Sequence, residues 1–115
     1  MSDIQKLTDL IIKFRDARDW KQFHNPKDTS LSLVLEATEV MEHFQWKNKE
    51  EMDEYVLTHK SEISEELADV MYWVLLMSHD LRIDIDKELR KKLEKNEKRY
   101  PVSKSKGKHT KYNKL

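Results

Sequence analysis

Two pairs of acidic residues recur at the same spacing, Glu36-Ala-Thr-Glu39 and Glu66-Leu-Ala-Asp69. Residues three apart share a helix face. At about 100° per residue, Glu36, Glu39 and His43 fall along one flank of an apolar arc formed by Leu33, Ala37, Val40, Met41 and Phe44. Glu66, Asp69 and Trp73 fall along the corresponding flank of an arc of Ile63, Leu67, Val70, Val74, Met77 and Leu81. Both pairs therefore border the core. If the two helices pack antiparallel, four carboxylates converge on one partly buried spot, where anions repel strongly. They must protonate, spread apart or bind cations. Oxygen-only ligands favour a hard ion, Mg²⁺ or Mn²⁺, which keeps waters and recruits phosphates, the outline of a phosphoryl-chemistry site. The same acids also read as boundary residues of solvated helices, and spacing alone leaves that plainer reading ahead.

The elements that must carry these residues are helical. With one Gly and two Pro in 115 residues, the chain lacks the turn residues a sheet protein needs. Ser2 or Asp3 can cap a first helix to about Arg18, with Ile4, Leu7, Leu10, Ile11 and Phe14 at helical spacing. Asn25-Pro26 marks a loop, and Asp28, Thr29 or Ser30 can cap a second helix to about Trp46. A short polar helix over roughly 49–59 follows, then a long one from Ser61 to near Asp80. Asp84 can cap a last helix, about Ile85 to Lys98, which Tyr100-Pro101 ends. This predicts an all-α, four-helix bundle over residues 1–101 and a basic, extended tail over 102–115.

The formal net charge is zero although 38% of residues are charged. From Lys98 onward there are seven Lys or Arg and no acid, so the rest carries 15 basic and 22 acidic residues. An acidic body with a basic tail is the pattern to explain. Cys is absent, which rules out disulfides and thiolate metal sites and fits a reducing cytoplasm. No apolar run is long enough to cross a bilayer. A core this small gains from oligomerisation. No basic recognition helix points to a nucleic acid polymer, and no glycine-rich phosphate loop is present.

The ordered set is more specific than either pair. Glu-x-x-Glu, 26 intervening residues, then Glu-x-x-Asp resembles the metal motif of MazG-like pyrophosphohydrolases. Phe14-Arg-Asp-Ala-Arg-Asp-Trp20-Lys-Gln-Phe-His24, Phe44-Gln-Trp46-Lys, Glu65-Glu-Leu-Ala-Asp69-Val and Arg99-Tyr100-Pro101-Val look like the dCTP pyrophosphatase branch of that family, and Lys111-Tyr112 has a counterpart there. The resemblance covers roughly residues 4–112. It implies an all-α homodimer or homotetramer with sites between subunits, and Mg²⁺ at Glu36, Glu39, Glu66 and Asp69, with Mn²⁺ a possible substitute. It implies hydrolysis of a nucleoside triphosphate, a dNTP such as dCTP, to the monophosphate and pyrophosphate as nucleotide-pool housekeeping. Trp20 and Trp46 would enclose the base, and Lys92, Asn96 and the Arg99–Tyr100 region would contact sugar or phosphates. Leu35 and Thr38 stand where relatives often have glycine, and Ile11 where close relatives have a base-contacting histidine, which leaves base preference open.

Other residues have plainer readings. Trp73 lies where apolar residues occupy every side of the helix and is assigned to packing. His43 reads as a satisfied boundary histidine. His24, beside Trp20 and Phe23, could touch substrate, and so could Lys111 and Tyr112, although a solvated tail accounts for the latter two equally well. A carboxylate-bridged di-iron bundle needs Glu-x-x-His, and no His here has Glu three residues before it. The remaining alternatives are a pseudoenzyme of this fold and a non-enzymatic helical dimer that binds a partner protein.

Overall fold

The computed structural model describes residues 1–115, and no residue lies in a strand. The helices are α1 (Asp3–Asp16), α2 (Pro26–Glu42), α3 (Lys49–Thr58), α4 (Lys60–Asp80), α5 (Ile85–Arg99) and the short α6 (Val102–Ser105), with 3₁₀ turns at Lys21–Phe23 and Tyr112–Lys114. The chain divides into two compact units, Met1–Arg82 and Ile83–Leu115. No helix is long and apolar enough to cross a membrane.

Caps explain most boundaries. The Ser2 hydroxyl accepts from the Gln5 amide and starts α1. The second helix begins earlier than the Asp28–Ser30 caps predict. Asn25 Oδ1 accepts from the Asp28 amide at 2.9 Å, and Pro26 occupies the first turn, where its missing N–H costs nothing. It also ends earlier, at Glu42, because the chain turns through His43–Trp46, with Trp46 at φ 69°. A reciprocal Asn48–Glu51 capping box starts α3. Asp84 caps α5 as expected. The tail departs from an extended form: α6 and the final turn give it local structure.

In the first unit, α4 is the centre: α2, α1 and α3 all pack on it. Glu39 lies by Glu66, Glu36 by Asp69, and Thr29 by Met77. Rising numbers on one helix thus meet falling numbers on the other, so α2 and α4 run antiparallel. Leu75 and Leu76 are the only fully buried apolar residues, joined inside by Thr8, Arg15, Thr29 and Ser78. Leu7, Leu10, Leu31, Val34, Leu35 and Leu67 remain substantially exposed.

In the second unit, the Arg99 guanidinium lies 4.3 Å over the Tyr112 ring, and Tyr100 meets Tyr112 edge-on at 6.1 Å. The basic tail is thereby folded back on the end of α5.

Candidate active site

The antiparallel pairing brings three of the four acids together. Glu36, Glu39 and Glu66 each present a carboxylate oxygen within 4.8 Å of the other two. Asp69 is not one of that trio. It lines a neighbouring cavity together with Glu36, and its charge acts on both Glu36 and Glu66.

Crowding alters how these acids hold protons. Burial, then a hydrogen bond with the Glu39 carboxyl and the charges of Glu39 and Asp69, raise the Glu36 carboxyl above the usual range. A hydrogen bond with Glu39, then burial and the charges of Glu39, Glu36 and Asp69, push Glu66 up to about 7. Oε2 of Glu36 and Oε2 of Glu66 are buried without a hydrogen-bond partner. Buried polar atoms are normally satisfied. Two orphaned carboxylate oxygens facing a third acid fit a divalent cation, with Glu36, Glu39 and Glu66 as the residues placed to hold it.

The cavity beside the acids is about 540 Å³ and is walled by Leu10, Ile11, Phe14, Trp20, Tyr72 and Trp73, with Glu36 and Asp69 at its polar edge. Trp20 packs edge-on against Phe14 at 5.7 Å, and Trp73 against Tyr72 at 5.1 Å. An apolar, aromatic slot opening on carboxylates suits a planar ring joined to an anion that arrives with its own cation. Periodicity missed Trp73, Tyr72, Phe14 and Leu10 as cavity residues. Trp73 was assigned to packing, yet it does both, lining the cavity and meeting His24 edge-on at 5.4 Å.

The other expected residues lie elsewhere. His24 lines a second cavity, of about 400 Å³, with Lys21, Asp80 and Arg82. Burial, and next the Arg15 charge, lower its pKa against the opposing pull of Asp80. Trp46 is 92% exposed and lines neither cavity. His43 is satisfied, as expected, by the Tyr55 hydroxyl at 2.6 Å. In the second unit Lys92 and Asn96 stand one turn apart on α5, Lys92 in a groove with Lys91, Lys95 and Lys98. Arg99, Tyr100 and Tyr112 form the aromatic cluster described above, and Lys111 precedes the final turn.

Known proteins similar to this chain are pyrophosphatases. The chain is 34% identical to dCTP pyrophosphatase 1 of Bos taurus over 117 aligned residues, spanning all of this chain and 68% of that protein. It is 32% identical to dCTP pyrophosphatase 1 of Homo sapiens, spanning 67% of that protein. A solved pyrophosphatase from Archaeoglobus fulgidus superposes with a TM-score of 0.82 at 34% identity, over 88% of this chain and 94% of that one. An all-helical chain with clustered carboxylates beside an aromatic slot, and with such relatives, is in class a nucleotide pyrophosphohydrolase. Residues 31–115 match the MazG-like family, and the chain belongs to that family. The relatives speak against a purely protein-binding role.

Proposed function

We propose that this protein hydrolyses a deoxynucleoside triphosphate, with dCTP the first candidate, to the monophosphate and pyrophosphate, in the service of nucleotide-pool housekeeping. The observation that carries the reading is the convergence of Glu36, Glu39 and Glu66 beside the cavity walled by Trp20 and Trp73. Glu36, Glu39, Glu66 and Asp69 would hold Mg²⁺, with Mn²⁺ a substitute. Such a cation supplies neutralisation of phosphate charge and activation of water.

The chain's own residues do the rest. Trp20, Trp73 and Phe14 hold the base by stacking and exclude water from its faces. One carboxylate of the cluster takes a proton from the attacking water. The water oxygen bonds to the α-phosphorus, the bond from that phosphorus to the α–β bridging oxygen breaks, and pyrophosphate leaves with the electron pair. Lys92, Asn96, Arg99, Tyr100, Lys111 and Tyr112 are the groups we assign to sugar and phosphate contacts. His24 backs the Trp73 ring. Trp46, with no role inside its own chain, is assigned to a site shared between subunits of a homodimer or homotetramer, which the broad exposed apolar surface of α1 and α2 supports.

Incubation of the purified protein with Mg²⁺ and each dNTP and NTP, with the products resolved, tests the proposal. Monophosphate plus pyrophosphate is expected, with dCTP among the preferred substrates. Diphosphate plus orthophosphate means attack at the γ-phosphorus and refutes the site geometry.

A further inference from the structure

One side chain of α3 touches the residues that cap both acid-bearing helices. The Tyr55 hydroxyl is hydrogen-bonded to Nδ1 of His43, the residue that ends α2, at 2.6 Å. The Tyr55 ring stacks on the His59 imidazole at 4.0 Å between centroids and 4° from parallel, and α4 starts from His59. Phe44 closes the edge of the same ring at 6.2 Å, and the Lys47 ammonium sits 4.2 Å from its centroid. Tyr55, His43, Phe44 and His59 are all half-buried. The ring therefore joins the residue that closes α2 to the residue between α3 and α4, from which α4 starts.

That tie lies beside the acids. His43 is one helical turn beyond Glu39, on the end of α2 that the antiparallel pairing sets against the start of α4. Here like charges face one another across the helix pair, and their repulsion pushes α2 and α4 apart. Something must oppose it when no cation is bound, and the apolar core lies at the other end, around Leu75 and Leu76. The geometry points to Tyr55 as a positioning residue for the carboxylate centre. Its bond to His43 and its stack on His59 hold the two helices at the separation where Glu39 meets Glu66, and so set the affinity of the centre for its divalent cation. This inference rests on reading the cluster as a metal site.

Tyr55→Phe deletes the hydroxyl and leaves the ring. Mn²⁺ binding to the protein without nucleotide, followed by electron paramagnetic resonance, is expected to weaken roughly fivefold, the scale of one net hydrogen bond. The Mg²⁺ concentration for half-maximal turnover should rise in step, while kcat at saturating Mg²⁺ changes less than the Mg²⁺ requirement. Leu76→Val, a cavity-forming change in the core, is the control: it lowers the melting temperature and leaves Mn²⁺ affinity alone. Wild-type Mn²⁺ affinity in Tyr55→Phe overturns the inference. Equal weakening in both variants also overturns it, since Tyr55 would then act through general stability. A wild-type protein that neither binds Mn²⁺ nor turns over any nucleotide refutes the metal-site reading itself, and the role of Tyr55 falls with it.

Discussion

One guanidinium nitrogen of Arg15, on α1, bonds both carboxylate oxygens of Asp80 at the end of α4, at 2.9 and 2.7 Å. Arg15 is 1% exposed and its Nε also reaches Asp16 at 3.2 Å. The Arg15 carbonyl in turn accepts from the Trp20 amide at 3.3 Å. The ion pair thus fixes α1 on α4 and, with it, the Phe14–Trp20 wall of the aromatic cavity. Removing one member strands a charge in the interior. Asp80→Asn is expected to cost about 3 kcal/mol, the lower end for a broken buried pair because Asp80 keeps some solvent contact. Arg15→Met with Asp80→Asn should recover part of that loss, and urea denaturation of the wild type and these two variants measures it.

Glu66 has a folded-state pKa of about 7 against an ordinary value of 4.5, and Glu36 is shifted the same way. The folded state therefore holds protons that the unfolded chain releases. Stability of the metal-free protein should fall as pH rises from 4.5 to about 7. Melting curves in a chelator across that range test this, and Glu66→Gln should flatten the slope. Mg²⁺ should stabilise more at pH 8 than at pH 5, because protons compete with it for the carboxylates.

Glu39 is the exposed member of the trio and acts on both half-buried ones. Glu39→Gln should reduce turnover to background while circular dichroism stays that of the wild type. In the absence of metal this variant should melt no lower than the wild type, since one repelling charge is gone. Full activity would remove Glu39 from the reaction.

How far the sequence foretells this arrangement depends on which residues are asked about. Repeating acids at one helical phase point to a meeting of Glu36, Glu39, Glu66 and Asp69, because phase is a property of each helix alone, and the structure groups the first three. Trp73 was opaque for the same reason: apolar residues surround its stretch of α4, so no phase shows which side faces a cavity. The cavity itself needs α1 packed on α4 beside α2, and nothing in Leu10 or Phe14 encodes that neighbour. Pro26 read as a loop because proline breaks helices from within, whereas at the first turn it begins one. His24 and Trp46 follow one another in the order the family motif has, yet chain order did not place them at the cavity with Trp20.

Trp73 contacts a bound base in both ground and transition states on this reading, so its loss should raise KM more than it lowers kcat. Base stacking on an aromatic is worth about 1–3 kcal/mol. Trp73→Ala should therefore raise KM for the preferred nucleotide by roughly tenfold or more. Quenching of tryptophan fluorescence by the nucleotide should shrink in Trp73→Phe and in Trp20→Phe.

Leu31, Val34 and Leu35 form an exposed stripe on α2, with Leu35 64% exposed. In the homo-oligomer proposed above, this stripe is the expected contact face. Leu35→Glu should shift sedimentation toward the monomer at micromolar concentration and make the melting temperature fall on dilution. An unchanged sedimentation coefficient would clear α2 of that role.

Between Glu39 and Glu66 the chain runs only through a turn and α3. Closing so short a loop costs little chain entropy, and helical contacts between near neighbours in sequence form fast. The carboxylate centre can thus assemble early on the route from the unfolded chain, ahead of the packing of α1. On the metal-site reading proposed above, a cation captured at that stage would speed folding as well as slow unfolding, and the ion proposed for the reaction would also act as a folding nucleus.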